Sequence, residues 1–298
     1  MEEQTQEVKQ TMGFHDKYYK LLLLIPTALL IFSLIYMVNF YNQNNDFIYK
    51  DISLTGGTTV TLQDQFDVAK LKLDLSDKLE DLNIREISDI LTSEQKAVVV
   101  ETKSSGDETR QVLENYFGYK LTEENSSIEF TGSSLSESFY KQLLIAILFA
   151  FILMAIVVFI IFRTVVPSSA VILSAFADIL MTLVFVNMLG MKISSAGIVA
   201  FLMLIGYSVD TDILLTTRLL KRREGNINHR IFGAFKTGIT MTLTSLFAVT
   251  FAWIIVRSFS VVLSQIFSIL IIGLGFDILN TWITNVSILK WYVKEKKE

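Results

Sequence analysis

Charge is segregated along this 298-residue chain, and the segregation limits what it can fold into. No charged residue occurs between Lys20 and Asp46 or between Lys141 and Arg163, and Asp178 alone interrupts the stretch from Thr164 to Met191. Soluble core helices do not leave uncharged runs of this length, whereas a helix crossing ~30 Å of hydrocarbon needs about 20 apolar residues. Six spans are predicted, at residues 21–41, 142–162, 168–189, 193–217, 231–256 and 261–289. The last is long enough to tilt or to project beyond the bilayer. The first lacks a small-residue cleavage pattern and is expected to be a retained helix, with Pro26 tolerated near its end.

Basic residues beside the spans set the expected orientation. Thirteen collect on one side: Lys9, Lys17, Lys20, Arg163, Arg218, Lys221, Arg222, Arg223, Arg230, Lys290, Lys294, Lys296 and Lys297. Only Lys192 and Arg257 flank the spans on the other. This predicts a multi-pass protein of the cell membrane with cytoplasmic tails at 1–20 and 291–298 and a cytoplasmic loop at 218–230. The five spans within 139–290 are expected to form one bundle.

Residues 42–138 are then extracytoplasmic. Positions 46–137 hold 19 acidic and 9 basic residues, a net charge of −10. The segment has the patterning of a folded domain. Val68, Leu71, Leu75, Leu79 and Leu82 recur on one face of an amphipathic helix. Strands are predicted around 52–62 and 84–91 and over the β-branched run 97–100. A second helix follows at 107–117 and a strand near 128–130. The order βαββαβ predicts an α+β, ferredoxin-like domain between the first two helices.

Little here points to covalent chemistry. There is no cysteine, so thiolate catalysis, disulfides and cysteine metal sites are excluded. His15 and His229 are far apart in polar segments and read as solvated, so no metal site is expected. No nucleotide-binding loop is present, and neither an enzyme activity nor a cofactor is expected.

The unusual residues are charges inside the spans: Asp178, Asp210, Asp212, Asp277 and Lys236. An ionised side chain at mid-membrane costs roughly 2.5–3.5 kcal/mol on insertion scales, so each needs a partner or water. Counted along the helices at ~1.5 Å per residue, all five fall in one broad band in the half of the membrane nearer the basic flanks. Four acids against one base leave an excess of negative charge, so at least one acid is expected to keep or share a proton. Two readings follow: a static cluster gluing helices together, or a proton relay. Asp210 and Asp212 point roughly 200° apart, so only one can face the cluster. Either can be that member, leaving the other to a partner subunit or the cytoplasmic boundary. Asp277, Asn280 and Thr281 form a polar i, i+3, i+4 patch that fits either the cluster or a packing contact.

Several of these patches occur in a familiar sequence. The outer domain opens DISLTGGTTVTL, with Thr55, Gly56, Gly57 and Thr58 at its centre; the second span ends IIFRT, shortly before Pro167; the third carries ADILMTL. The fourth carries GYSVDTDILLTTR, with Gly206, Tyr207, Ser208 and Arg218, and the fifth opens FKTGITMTLTS. Over nearly its whole length the chain resembles the SecF family, a membrane subunit of the Sec protein-export machinery within the RND superfamily. Bacterial members read Asn-Asp after Gly-Tyr-Ser-Ile, where Asp210-Thr211-Asp212 stands here, and their fifth-span arginine falls on Lys236. These departures indicate the archaeal type. The resemblance implies protein translocation beside SecD and a SecY-type channel, contact with translocating unfolded polypeptide, and coupling to the proton motive force through the intramembrane acids. It also implies Asp210 as the proton carrier, in a cluster with Lys236 and Asp178, because Asp210 matches the acid of the related SecD pattern. A half-size RND transporter of lipids or small molecules, and a structural assembly subunit without a proton cycle, are the alternatives.

Overall fold

The computed structural model describes residues 21–89, 92, 94–221, 225–258 and 260–295. The tail 1–20, Leu91 at the end of the expected second strand, Arg222 and Arg223 of the basic loop, and Lys296 and Lys297 lie outside the described residues. The first spanning helix, α1 (Leu24–Asn44), ends at Asn45 in a left-handed conformation with φ 54°. The chain then forms a one-turn helix α2 (Ile52–Thr55), β1 (Gly57–Leu62), α3 (Val68–Leu75), β2 (Asn83–Ser88), β3 (Gln95–Thr102), α4 (Gly106–Phe117) and β4 (Ser126–Thr131). The four strands pair antiparallel in the order β2-β3-β1-β4, with Val60 opposite Val100 on one side and Ile128 on the other. This is the expected split βαββαβ unit.

One face of the sheet carries both helices. Leu71, Leu75 and Leu79 pack with Val60, Leu62, Val98, Val100 and Leu113, and Leu75 is fully buried. Burying one leucine contributes about 1.5–3 kcal/mol, so this cluster holds the domain together. Two local expectations change. The strand predicted from Ile52 begins only at Gly57, because Asp51 caps α2 by accepting a 2.8 Å hydrogen bond from Ile52 N. The helix predicted through Leu82 stops at Leu75, although Leu79 still reaches the core from the turns that follow.

β4 runs almost directly into α5 (Ser133–Phe162), which starts well before the apolar run expected at 142. The glycine pair makes this joint possible. Gly56 has φ +83°, and a Cβ on it would lie 2.5 Å from Ser133 Cα; a Cβ on Gly57 would run into the Thr102 carbonyl. Thr58 locks the same corner by donating to Ser104 O at 2.8 Å, and Thr55 Oγ1 bonds Asp51 O at 3.3 Å.

The bundle continues with α6 (Val165–Met188), α7 (Ser195–Lys221), α8 (Ile227–Val256) and α9 (Val261–Leu279). A π-helical segment, Asn280–Asn285, then leads into α10 (Val286–Glu295), so the last span is one long, locally widened helix. Helix occupies both ends of the expected 218–230 loop, since α7 extends to Lys221 and α8 begins at Ile227. Among the described residues, six helices are long and apolar enough to cross a membrane. α6 and α7 are central, with α9 packed against both. α5 and α8 turn large apolar residues such as Phe149, Leu153, Phe247 and Phe251 outward.

The turn between α6 and α7 ties bundle to sheet domain. Ile193 exchanges backbone hydrogen bonds with the strand-like entrance to the domain, donating to Tyr49 O (2.6 Å) and accepting from Asp51 N (3.0 Å). Asn187 donates to Phe47 O at 2.8 Å, and Lys192 pairs with Asp81 at 2.6 Å. From α9, Gln265 clamps the turn by accepting from Ser194 and donating to Lys192 O.

Candidate functional site: a buried carboxylate cluster

Three carboxylates meet inside the bundle, one from each of three mutually packed helices: Asp178 (α6), Asp212 (α7) and Asp277 (α9). All three are fully buried. Each comes inward because the faces of α6, α7 and α9 that carry it pack on one another. Among the described residues, every hydrogen bond to these carboxylates comes from a hydroxyl or an amide. Asp178 accepts from Ser208 Oγ at 2.5 Å and Asn280 Nδ2 at 2.7 Å. Asp212 Oδ1 accepts from Asn285 Nδ2 and Thr281 Oγ1, both at 2.8 Å.

Thr281 and Thr211 join the acids to one another. Thr281 Oγ1 lies 3.2 Å from Asp277 Oδ1 as well as facing Asp212. Thr211 Oγ1 lies 3.2 and 3.4 Å from the two oxygens of Asp277 and also bonds Ser208 O at 3.0 Å. The π segment brings these groups together, since its wider turns leave Asn280, Thr281, Thr284 and Asn285 all buried. π segments within α-helices frequently occur at functional positions.

The expected site is therefore divided. The structure brings together Asp178, Asp212 and Asp277, and the Asp277-Asn280-Thr281 patch faces them. It leaves Asp210 and Lys236 outside: both are exposed on the bundle surface, on α7 and α8. The physical reason is the ~100° turn per helical residue: seating Asp212 against α9 rotates Asp210 outward. Of the fourth-span motif, Ser208 reaches the cluster, Gly206 and Tyr207 face out, and Arg218 bonds the Gly233 carbonyl of α8. Ser208, Thr211 and Asn285 were not among the expected cluster residues. Their signal was faint: small polar residues in otherwise apolar helices, with Ser208 and Thr211 one turn or less from Asp212.

The outer-domain motif, Thr55 to Thr58, belongs to the joint beneath α5. It lies in the sheet domain, away from the acids.

Comparison with known proteins agrees with the fold. The family described as protein export membrane protein SecD/SecF, C-terminal, matches residues 111–295. The protein-export membrane protein SecF of Methanocaldococcus jannaschii is 40% identical, over 94% of this chain and 97% of its own length. That of Pyrococcus furiosus is 35% identical, over 93% and 92%. Among solved structures, SecDF from Thermus thermophilus, a translocon-associated membrane protein, superposes with a TM-score of 0.70 at 17% identity. The match covers 94% of this chain but 39% of that longer one. The family match over more than half of the chain, with relatives up to 40% identical over nearly its full length, places the chain in the SecF family of protein-export membrane proteins.

Proposed function

We propose that the chain assists export beside a SecD-type partner and a SecY-type channel, and that proton exchange at Asp178, Asp212 and Asp277 powers it. The outer domain, facing away from the cytoplasm, would engage emerging polypeptide or the partner's own outer domain. The observation that carries the proton reading is the hydrogen inventory of the cluster. Thr211 and Thr281 have one hydroxyl proton each, yet their contacts present three acceptors: Ser208 O, Asp212 and Asp277. A proton on a carboxyl closes the network. Removing or adding it changes which hydroxyl donates to which acid, and so which helices are tied. Three acids in a low-dielectric interior cannot all ionise without a large penalty, which favours shared, exchangeable protons over fixed charges. Proton exchange would shift the packing of α6 and α7, and the turn between them would pass that shift to the sheet domain.

Asp210 and Lys236 then have a different role from the one the family pattern implies. A lysine can extend its ammonium toward the headgroups, but a short aspartate side chain cannot, and facing lipid it would cost several kcal/mol. Asp210 accordingly marks the surface that the partner subunit's helices cover, beside the exposed Gly206 and Tyr207.

Asp212→Asn keeps size and one hydrogen-bond acceptor but cannot exchange a proton. Assembly with the partner is expected to survive and export to fall to the level of a strain lacking the protein. Normal export by a stably assembled Asp212→Asn variant, with the same result for Asp277→Asn, would leave the cluster as a scaffold.

A further inference from the structure

The acid cluster is walled differently above and below. Toward the sheet domain, the space between α6, α7 and α9 is filled by Val186, Phe201, Leu204, Ile269 and Leu270. Packing there is close: a Cβ on Gly273 would come within 2.5 Å of Leu204 Cδ2. Toward the other face, where α6 begins and α7 and α10 end, the same helices bury Ser168, Ser174, Thr216 and Asn285, each 1% exposed or less.

Most of these polar groups are not satisfied by the protein. Ser168 Oγ, Thr216 Oγ1 and Asn285 Oδ1 are buried without a hydrogen-bond partner, and Ser174 faces Asp212. Their spacing follows one direction. Thr216 lies four residues beyond Asp212 on α7, and Ser174 four before Asp178 on α6, each about one turn or ~6 Å. Asn285 is held beside Asp212 by its own amide. Ser168 lies six residues further, about 9 Å, at the first turn of α6.

A buried polar group left unpaired costs about 1–3 kcal/mol, and the hydrocarbon offers no partner. Three of them lie toward one face of the site, with Ser174 between them and Asp212, and an apolar layer lies toward the other. One water makes two to four hydrogen bonds and so can satisfy several such groups at once. We propose that Ser168, Ser174, Thr216 and Asn285 line a hydrated path admitting water and hydronium from that face to Asp212, and that the Phe201-Leu204-Ile269-Leu270 layer closes the cluster toward the sheet domain. The path supplies a route for the relay proposed above and rests on that reading for its cargo, though its existence is tested independently of export.

The chain has no cysteine, so single near-isosteric replacements report water access directly. Ser174→Cys, Thr216→Cys and, as the dry control, Leu270→Cys would be reconstituted in vesicles. Each would be exposed from one side to silver ion, which is close to water in size, in chloride-free buffer. Blocked thiol is then read by alkylation after denaturation. Ser105→Cys and Asn226→Cys identify the two faces. Ser174→Cys and Thr216→Cys are expected to be blocked from the Asn226 face at least tenfold faster than Leu270→Cys is from either. Blocking no faster than at Leu270, or blocking from the Ser105 face, would overturn the path. Because the readout is access and not export, a dry site and a proton-independent site give different results: the first fails here, the second fails with Asp212→Asn.

Discussion

In the sheet domain the interior is Val60, Leu75, Val98 and Leu113, and the ion pairs lie outside it; the bundle turns this arrangement round. Its centre holds Asp178, Asp212, Asp277 and Asn280, while its surface is Phe149, Leu153, Phe247 and Phe251. The difference follows from the solvent. Water expels apolar surface, and that expulsion assembles the sheet domain. Lipid tails are as apolar as leucine and give helices no such reason to associate, so packing and hydrogen bonds between helices carry more of the task. The polar centre of the bundle can therefore be both what joins α6, α7 and α9 and what switches them. The sheet domain has no equivalent: its core can only be intact or broken.

The contrast predicts very unequal responses to substitution. The largest is expected from Leu75→Asp, which opens the sheet core and buries an unpaired charge. It should destabilise the domain by at least about 3 kcal/mol. Hydrogen exchange of the full chain in nanodiscs should show the amides of β1 and β3 losing protection while α6 and α7 keep theirs. Unchanged protection in β3 would mean that Leu71, Leu75 and Leu79 do not form the core.

A smaller effect is expected in the bundle. Ser208→Ala removes one donor to Asp178 and leaves Asn280 in place. Interhelical hydrogen bonds of this kind contribute about 0.6 kcal/mol on average, so thermal unfolding should shift only slightly. A loss as large as that of Leu75→Asp would show that the polar centre acts as a core, and the two regions would then be alike.

The smallest effect lies at the joint between them. Partial burial works to raise the Asp81 carboxyl, but the hydrogen bond and charge of Lys192, aided by Lys103, outweigh it and hold it below its ordinary value. A carboxylate lowered in the folded state adds stability above its unfolded value, ~3.9, and loses it as pH falls through the folded value. The Lys192 tie should thus persist at neutral pH and release only in strong acid. Asp51, at the same joint, is raised by burial and by Glu101 against the pull of Arg85, so its contribution has the opposite sign and is lost as pH rises. Lys192→Gln separates the two: it should reduce the acid-dependent increase in exchange at the joint that Asp81 produces, leaving the part due to Lys103. An unchanged acid response would assign that loosening to another group.

Much of this architecture is legible in the order of residues. Uncharged runs reveal spans because a charge in hydrocarbon is costly wherever it points. Period-two and period-3.6 patterns reveal the βαββαβ order because the sheet domain has one wet and one dry side. The acids were also visible, together with their shared depth, since depth along a helix is a count of residues. Which of them meet was not. Asp210 and Asp212 are nearly equal in depth and differ in azimuth, and azimuth is set by how α7 seats against α6 and α9, through contacts such as Leu204 on Gly273 and Asp212 on Thr281, each between residues 69 positions apart. The sequence determined that this chain buries carboxylates in a membrane; only the tertiary packing decided that Asp212 faces Asp178 and Asp277 while Asp210 and Lys236 face out.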